Sequence, residues 1–515
     1  MIYVYLEMIV DGISKTMGDL LRVYRVIIIG AGIIGASIAR LLSKYKNLKI
    51  FLVEKEPDVG WGATKANTAI IHPGHEDDPN KYPMRATLCA MGNRLWHRWV
   101  KELDIPVKWC GELMLAFDDR DMKELKKYME YGEINHVPGL KIVYNGELYG
   151  LEPNVSENAI AGLWAPTSGE IEPWEAVIGL VENAVDNGVK VFFETEVRDI
   201  RIVDGEIRGV DTNKDFIGAD IVINAAGLYA DKISRMAGIN SFKIHPRKGE
   251  YYLFDENISN INRILHPVPT PKTKGVYIVP TVEDNLLIGP TAQDLPIDAK
   301  EDTSTSSEGL EYVWNWAKKL VKKLPPKSKI IKTFAGLRPE PSGGDFILEA
   351  YNDPWGFINA AGIRSPGLAS APAIAHYIEN LIKNRLDIKL IKKDKWNPYR
   401  SSIIRFRNLP SKKREELIKR DPCYGRIICT CKYVTEAEII EAIKRIEKIG
   451  GIVTLDGIKF RTLAMFGRCQ GAFCRLRIAE IVAKKYNIPF WKITLKGKGS
   501  EYGFNEIKYL YRGDK

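Results

Sequence analysis

The chain has 515 residues, of which 45% are hydrophobic and 27% charged, and its formal net charge is +10. This length exceeds what one hydrophobic core usually supports, so we expect two or three domains. No apolar run approaches the roughly 18 residues of a membrane-spanning helix, which excludes a helical membrane protein. Residues 1–22 lack the pattern of a signal peptide. We therefore expect an N-terminal extension, with a true start nearer Met17 as the alternative. We also expect a cytoplasmic protein, with peripheral attachment to the inner face of the cell membrane as the alternative.

Positive charge is concentrated towards the C-terminus. Residues 401–515 carry a net charge of about +13, which leaves about −3 for the first 400 residues. Such a region favours an anionic partner (nucleic acid, anionic lipid or an acidic protein), although a solvated basic surface explains it equally well. Because the charges are not interleaved with aromatic residues, nucleic-acid binding is not expected. The chain has only two glutamines beside many Lys, Glu and Ile residues, which favours a thermophile.

The first predicted elements are a strand, a glycine turn, a helix and a second strand. The apolar run Val26–Ile29 predicts a strand buried on both faces. Ala36–Tyr45 has helical spacing, and a second strand, Lys49–Val53, ends at Glu54. This order is typical of a dinucleotide-binding unit, in which an acidic residue after the second strand binds a ribose diol.

Three glycines between the first strand and the helix fit this interpretation. Gly30 permits the tight turn, Gly32 lets a pyrophosphate approach the backbone, and Gly35 lets the helix pack against the strand. The helix N-terminus then faces the phosphate charge. The pattern predicts dinucleotide binding and leaves FAD and NAD open.

Three later segments resemble motifs of the D-amino-acid-oxidase-like flavoprotein superfamily: residues 64–74 (TKANTAIIHPG), 221–231 (IVINAAGLYAD) and 359–368 (NAAGIRSPGL). In that superfamily they follow the pyrophosphate, contact the nucleotide and place a helix N-terminus at the flavin, so the resemblance implies FAD. It also implies further FAD contacts, namely Ile33, Ile34, Lys55, Thr64, Ala66, Asn67, Val197, Ala226, Gly227, Gly336, Gly362, Ile363, Gly367 and Leu368.

Five of the seven cysteines lie in the last 93 residues. Cys429 and Cys431 form one close pair, and Cys469 and Cys474 form another after 37 intervening residues. Clustered cysteines in a chain without a secretion signal are more often metal ligands than disulfides. Cys89 and Cys110 are interpreted as buried small hydrophobic residues. Cys423 is expected to be spare, with substitution as a metal ligand as the alternative.

Predicted helices place both cysteine pairs on loops. Thr435–Ile449 is amphipathic, with Thr435 as its N-cap and Glu438 three residues later, and Arg475–Tyr486 is a second helix. Four thiolates bind either zinc or a [2Fe-2S] cluster. Residues 467–474 resemble the bacterioferritin-associated-ferredoxin-like domain, which implies the cluster, with zinc as the alternative. The implied ligands are Cys429, Cys431, Cys469 and Cys474.

Together these resemblances imply an α/β (α+β) chain. A Rossmann-like FAD-binding domain carries an inserted substrate domain on a mixed or antiparallel sheet, followed by a small helical iron–sulfur domain. The expected boundaries are 1–22 for the extension; 23–105, 164–245 and 331–385 for the FAD-binding domain; 106–163 and 246–330 for the substrate domain; 386–421 for a linker; and 422–515 for the iron–sulfur domain.

The inserted segments resemble FAD-dependent glycerol-3-phosphate dehydrogenases, particularly those with an appended cysteine domain. The resemblance is carried by residues 246–253, 268–270, 275–281 and 287–292 of the insertions, and by residues 334–339 after them. It implies oxidation of a phosphorylated polyol, sn-glycerol 3-phosphate, to dihydroxyacetone phosphate by hydride transfer to flavin. Electrons would leave through the [2Fe-2S] cluster to quinone or to an electron-accepting or membrane-anchoring protein docked on the basic C-terminal domain. Four arginines would offset the cluster's negative charge: Arg461, Arg468, Arg475 and Arg477.

Candidate catalytic residues follow from the same alignment of motifs. Arg338 and Arg364 would clamp the substrate anion, because guanidinium groups bind phosphate and carboxylate. His72 would take the proton of the substrate hydroxyl, with Glu250 and Tyr251 as alternatives. Two lysines are secondary candidates: Lys248 and Lys274.

Two other functions remain open. L-2-hydroxyglutarate or a proline-like secondary amino acid would suit the same clamp, because guanidinium groups bind carboxylate as well as phosphate. A non-catalytic electron-transfer subunit of a larger complex would instead hold a flavin that no small alcohol or amine reduces.

Overall fold

The structure, a computed structural model, describes residues 22–270 and 273–503. Except for Arg22, the predicted extension lies outside the described residues. The helices are α1 (Ile33–Leu42), α2 (Pro83–Glu102), α3 (Asp119–Ile134), α4 (Asn145–Leu151), α5 (Pro173–Asp186), α6 (Ala230–Met236), α7 (Ser307–Leu320), α8 (Gly367–Asn384), α9 (Ser411–Arg420), α10 (Glu436–Lys448), α11 (Leu455–Thr462) and α12 (Arg475–Tyr486).

The chain also forms 23 described strands. They are β1 (Tyr24–Ile29), β2 (Leu48–Val53), β3 (Ile70–Ile71), β4 (Val107–Lys108), β5 (Glu112–Ala116), β6 (Lys141–Tyr144), β7 (Ala161–Ala165), β8 (Gly169–Ile171), β9 (Lys190–Phe192), β10 (Val197–Val203), β11 (Glu206–Thr212), β12 (Phe216–Gly218), β13 (Ile221–Asn224), β14 (Ile244–Phe254), β15 (Ile264–Pro267), β16 (Tyr277–Pro280), β17 (Leu286–Gly289), β18 (Gln293–Asp294), β19 (Ile330–Pro341), β20 (Ile347–Asn352), β21 (Trp355–Ala361), β22 (Ile427–Cys429) and β23 (Val434–Thr435).

The first large sheet forms the core of the predicted FAD-binding domain. Its strands run in the order β10-β11-β21-β13-β1-β2-β9, and β21, β13, β1, β2 and β9 are parallel neighbours. Strands β1 and β13 are buried on both faces, which explains why they read as unbroken apolar runs in the sequence. Helices α1, α2, α5 and α8 pack together around the same core.

The second large sheet draws its strands from both predicted insertions. Its order is β18-β14-β17-β16-β15-β5-β7-β6, and β19 pairs with β14 over most of its length. Its neighbours are antiparallel except for β5 and β15, so the sheet is mixed, as predicted. The sequence analysis places residues 331–385 in the FAD-binding domain, but residues 331–341 pair with β14 as part of this sheet.

The C-terminal unit is small and mostly helical. Helices α10, α11 and α12 pack around a core that includes Ile443, Leu455 and Ile478. The predicted N-cap is confirmed, because Thr435 and Glu438 form a reciprocal capping box at the start of α10. The predicted helix Arg475–Tyr486 is confirmed as α12. Within the described residues, no helix combines the length and the apolarity needed to cross a membrane.

Segment 386–421, predicted as a linker, is packed against the first domain. The buried guanidinium of Arg400 donates to Glu175 at 2.9 Å and to Glu182 at 2.7 Å, and Arg445 of α10 approaches Glu182 at 3.1 Å. The C-terminal unit is therefore tied to α5 through shared buried carboxylates.

Candidate active site and iron–sulfur site

A cavity of about 1340 Å³ runs from the glycine turn after β1 to the second sheet. All of the predicted FAD contacts except Gly35 line it. The strand ends of β1, β2, β13 and β21 reach this cavity from one side, and β14 and β19 reach it from the other. The fold thus places a single continuous space between the two sheets.

The glycine turn leaves room for a pyrophosphate. Gly30 has φ +101°, and a Cβ there would lie 2.6 Å from the carbonyl oxygen of Ala225. A Cβ on Gly35 would lie 1.9 Å from the Gly30 carbonyl oxygen, so this glycine allows α1 to pack against the turn, as predicted. Thr64 accepts a hydrogen bond from the Ile33 backbone N–H at 3.0 Å, which joins the second motif to the start of α1.

Glu54 lies at the end of β2, where a ribose-binding carboxylate is expected. Its side chain is 9% exposed and lines the cavity. It accepts hydrogen bonds from the backbone N–H groups of Ala31 at 2.7 Å and Glu56 at 3.0 Å, and burial raises its pKa. These bonds hold the carboxylate beside the glycine turn.

The opposite end of the cavity has the features expected around a flavin ring. Gly367 begins α8, whose N-terminus faces the cavity, and Gly336 approaches the Ala66 segment closely. A Cβ on Gly336 would lie 1.9 Å from the Ala66 carbonyl oxygen. The N-terminus of α8, the close approach at Gly336 and the Glu54 carboxylate lie along one cavity. The residues present therefore fit FAD.

His72 lines this end of the cavity and is buried. Its Nδ1 atom lies 3.5 Å from Glu76 and 3.8 Å from Glu112. Burial lowers the pKa of His72, so the imidazole is mainly neutral near pH 7 and can accept a proton. The structure therefore places His72 where the sequence analysis expected a base.

Tyr251 and Arg338 lie together on the facing sheet. The Arg338 guanidinium donates to the Thr291 carbonyl oxygen at 3.0 Å and contacts the Tyr251 hydroxyl. Among the described residues, its Nη1 atom is buried without a hydrogen-bond partner. A buried, unsatisfied guanidinium nitrogen beside a cavity is an anion-binding group.

Arg364 also lines the cavity, but it is paired. Its Nε atom lies 2.8 Å from Glu340, and Glu340 in turn lies 3.4 Å from Arg247. Two guanidinium groups therefore share one carboxylate at the cavity wall. Arg364 could therefore contact a substrate anion only while it also keeps its ion pair with Glu340.

The structure does not bring Glu250 to the cavity as a base. Its buried carboxylate accepts hydrogen bonds from the backbone N–H and the hydroxyl of Ser306, and from Thr291 at 3.3 Å. Ser306 is the N-cap of α7, so Glu250 stabilises the start of that helix. The alternation of a strand explains the error, because Tyr251 faces the cavity and its neighbour faces away.

Sequence reasoning gave too little weight to one charged group. Lys274 reaches the cavity and lies 2.8 Å from Glu76 and 3.3 Å from Asp77. Tyr277 donates to Glu76 at 2.5 Å. Burial alone would raise the pKa of Glu76, but Lys274 and the neighbouring imidazoles hold it well below its usual range. The acidic run directly after His72 was the available sequence signal.

The four predicted cluster ligands come together at the C-terminal unit. The thiols of Cys429 and Cys474 are in contact and buried, and those of Cys431 and Cys469 are in contact nearer the surface. Among the described residues, no three of these sulfur atoms lie within 4.8 Å of one another. Zinc and a [2Fe-2S] cluster both take four thiolates, so the four residues present fit the predicted cluster.

Backbone N–H groups surround the inner thiols. The Cys474 thiol and the N–H groups of Lys432 and Met465 lower the pKa of Cys429 to about 6. Phe466, which follows Met465, lies against Trp174 of α5 with ring centroids 5.0 Å apart. The inner side of the cysteine site is therefore in contact with the FAD-binding domain.

Two of the arginines expected near a cluster are engaged elsewhere. Arg461 forms a buried bidentate ion pair with Asp58, at 2.5 and 2.9 Å, which joins α11 to the loop after β2. Arg468 lies 3.2 Å from Asp255 of the second sheet domain. These pairs contribute to domain contacts, because each carboxylate belongs to another domain.

Comparisons with known proteins agree with both sites. The FAD dependent oxidoreductase family profile matches residues 25–381, and the BFD-like [2Fe-2S] binding domain profile matches residues 427–484. A glycerol 3-phosphate dehydrogenase of Caloramator mitchellensis is 46% identical over 93% of this chain and 97% of its own length. A glycerol 3-phosphate oxidase of Mycoplasma genitalium is 32% identical over 72% of this chain and 97% of its own length.

A solved structure shares the fold of the first two domains. The dithionite-reduced L-alpha-glycerophosphate oxidase from Mycoplasma pneumoniae, with FAD bound, superposes with a TM-score of 0.68 at 31% identity. The match covers 74% of this chain and 99% of that chain. The predicted fold class and both cofactors, FAD and a [2Fe-2S] cluster, are thereby confirmed. This chain belongs to the FAD dependent oxidoreductase family, on the branch that contains glycerol 3-phosphate dehydrogenases and oxidases, and it carries a BFD-like [2Fe-2S] domain.

Proposed function

We propose that this protein oxidises sn-glycerol 3-phosphate to dihydroxyacetone phosphate and passes the electrons singly through its cysteine domain to a separate acceptor. The similarity to a glycerol 3-phosphate dehydrogenase over both domains carries the proposal. The oxidase from Mycoplasma genitalium matches only 72% of this chain with nearly its whole length. The extra part here includes the BFD-like domain, which favours a one-electron acceptor over oxygen.

The substrate anion is assigned to the Arg338 side of the cavity. Its buried Nη1 atom lacks a partner among the described residues, and a phosphate oxygen would supply one. Arg247 and Arg364 line the same wall, but both are already neutralised in part by Glu340. The positive charge that remains at this wall stabilises a doubly charged phosphate more than it stabilises a neutral group.

The substrate hydroxyl is assigned to His72 on the opposite wall. A neutral imidazole held near Glu76 can accept the hydroxyl proton as the C–H bond is broken, and the Glu76 carboxylate would stabilise the resulting cation. When bound, FAD supplies a two-electron acceptor at this end of the cavity, and the [2Fe-2S] cluster supplies a one-electron carrier. Lys274 then fixes Glu76 in place.

Electrons are proposed to leave at the outer face of the cysteine domain, where an acidic acceptor protein docks. Cys431 and Cys469 lie nearest the surface there. Tyr433, Phe473 and Leu476 are 61, 58 and 48% exposed beside them. Arg477 lies over the Phe473 ring at 4.8 Å, which adds positive charge to this apolar face. An acceptor with an acidic, partly apolar face is complementary to this surface.

Anaerobic mixing of the purified protein with candidate substrates tests the activity. We expect glycerol 3-phosphate to bleach the flavin absorbance, followed by reduction of the cluster, whereas glycerol, L-2-hydroxyglutarate and proline act far more slowly. Arg338→Met should raise KM for glycerol 3-phosphate about 10- to 100-fold and leave the reaction with glycerol nearly unchanged, since a charge-assisted hydrogen bond contributes about 1.5–3 kcal/mol. Bleaching by a carboxylate substrate but not by glycerol 3-phosphate would refute the proposal.

A further inference from the structure

A cluster of buried donor atoms lies behind the cavity wall and has no part in the proposed reaction. His75 of the loop after β3, Glu112 at the start of β5 and His266 of β15 are each 0% exposed. Their donor atoms all lie within 4.8 Å of one another. Three segments that are distant in sequence therefore direct two imidazoles and one carboxylate to a common point.

These donor atoms lack partners among the residues that the structure describes. Both ring nitrogens of His75, Oε1 of Glu112 and Nε2 of His266 are buried without a hydrogen bond. Leaving one buried polar atom unsatisfied costs about 1–3 kcal/mol, so the three that converge, one from each residue, indicate a bound species that satisfies them.

The surrounding contacts orient the donors as metal ligands are oriented. His266 Nδ1 lies 3.1 Å from the Pro267 carbonyl oxygen, which can only accept, so the proton is on Nδ1 and Nε2 presents a lone pair. Ser168 donates to Oε2 of Glu112 at 2.8 Å and leaves Oε1 free. A backbone carbonyl behind the histidine and a hydroxyl behind the carboxylate are typical second contacts of a metal site.

The spacing distinguishes an ion from a water molecule. His75 Nε2 and Glu112 Oε1 are 3.6 Å apart, too far for a direct hydrogen bond. At an ion about 2.0–2.1 Å from each, they would subtend about 120°, close to tetrahedral geometry. At a water oxygen about 2.8 Å from each, they would subtend only about 80°, which is strained.

We propose that His75, Glu112 and His266 bind one divalent transition-metal ion of the zinc type, with a fourth position for water. Two histidines and one glutamate form a common ligand set for zinc. A second group, His72, Glu76 and Glu112, lies equally close together, but Glu76 already accepts hydrogen bonds from Tyr277 at 2.5 Å and Lys274 at 2.8 Å. Because the donor atoms of the first group are free among the described residues, we assign the ion to that group.

The position of the ion implies a structural role at the active site. It would join the loop that carries His72 and Glu76 to two adjacent strands of the second sheet, β5 and β15. Glu112 lies 3.8 Å from His72 through its other oxygen. The ion would thus hold the cavity wall in place without contacting the substrate.

Metal content and absorption-edge spectroscopy test the site in the holoenzyme. We expect about one zinc per chain after purification without chelators, with a first shell of nitrogen and oxygen at about 2.0–2.1 Å and no sulfur at about 2.3 Å. His75→Gln and His266→Gln should each lose this zinc while keeping FAD. The matched control His245→Gln, a partly exposed histidine outside the group, should keep it.

Zinc misloaded at the cysteine site is the main alternative, so the measurement is repeated in a Cys431→Ser/Cys469→Ser background. Zinc that persists there and is absent from His75→Gln supports the proposal. Zinc with sulfur ligands only, or the absence of zinc in the wild type even after incubation with excess Zn²⁺, would overturn it and assign the cluster to ordered water. The spectra of the wild type decide this even if a variant fails to fold.

Discussion

The flavin cavity and the cysteine site are built in different ways. The cysteine site is local, since all four predicted ligands lie within 46 residues of one another; Cys429 ends the short strand β22, and the other three lie between the short helices and strands of the same unit. The polar part of the flavin cavity is assembled from residues as distant as His72 and Arg364, which two different sheets bring together. A local site can be read from spacing, whereas a site between two sheets depends on which face of each strand is turned inwards.

Removing one site while the other stays intact distinguishes their functions most clearly. Cys469→Ser should abolish the cluster, with loss of iron, sulfide and the paramagnetic signal of the reduced protein, because a [2Fe-2S] centre needs four thiolates. FAD content and the rate of flavin reduction by substrate should stay near wild type. Iron and sulfide analysis with stopped-flow absorbance measures both.

Cys423→Ser is the matched control, because this half-buried thiol contacts Arg426 and is predicted to be spare. It should keep the full cluster. If Cys423→Ser loses iron while Cys469→Ser retains it, the assignment of ligands is wrong.

The complementary change disables the flavin cavity. His72→Gln should lower the rate constant of flavin reduction by about 10²–10⁴-fold, the usual contribution of a positioned base, without releasing FAD. Chemical reduction of the cluster should be unaffected. Single-turnover stopped-flow measurements at saturating substrate report this rate constant directly.

His97→Gln controls for loss of a histidine as such, since His97 stacks on Trp109 at 3.8 Å and does not line the cavity. Its rate constant should match that of wild type. A change of less than about 3-fold in His72→Gln would show that another group takes the proton.

The domains that carry the two sites are also joined by the buried ion pair between Arg461 and Asp58. Removing this pair measures how much it contributes to stability. Arg461→Met should lower the free energy of unfolding by about 3–5 kcal/mol, because it leaves a buried carboxylate without its partner. Arg461→Met/Asp58→Leu should recover much of this loss. Chemical denaturation of the four proteins of this double-mutant cycle provides the measurement.

An exposed pair between the same two domains serves as the comparison. Lys448 lies near Asp186 and is 56% exposed, so Lys448→Met should change the free energy of unfolding by about 1 kcal/mol or less. If Lys448→Met and Arg461→Met lowered the free energy of unfolding equally, burial would not increase the contribution of the Arg461–Asp58 pair to stability.

The limits of sequence reasoning follow from the same contrast. The glycine turn, Glu54 and the capping box at Thr435 depend on neighbours within a few dozen residues, and the structure contains them as predicted. The partner of Arg461 could not be predicted, because Asp58 is 403 residues away in the sequence. Glu340 is near Arg364 in the sequence, but their pairing depends on how β19 of the second sheet meets the end of β21 of the first, which spacing does not show. Alternation alone could not decide which of Glu250 and Tyr251 faces the cavity.

The smallest expected effect tests that last point. Glu250→Gln keeps an oxygen that can accept from Ser306, and its NH2 group can donate to the Thr291 hydroxyl instead of accepting from it. Flavin reduction by substrate should therefore stay within about 3-fold of wild type, and stability should fall by only about 1 kcal/mol. Stopped-flow reduction and thermal unfolding measure the two quantities. A loss of reduction rate comparable to that of His72→Gln, with stability unchanged, would return Glu250 to the catalytic group.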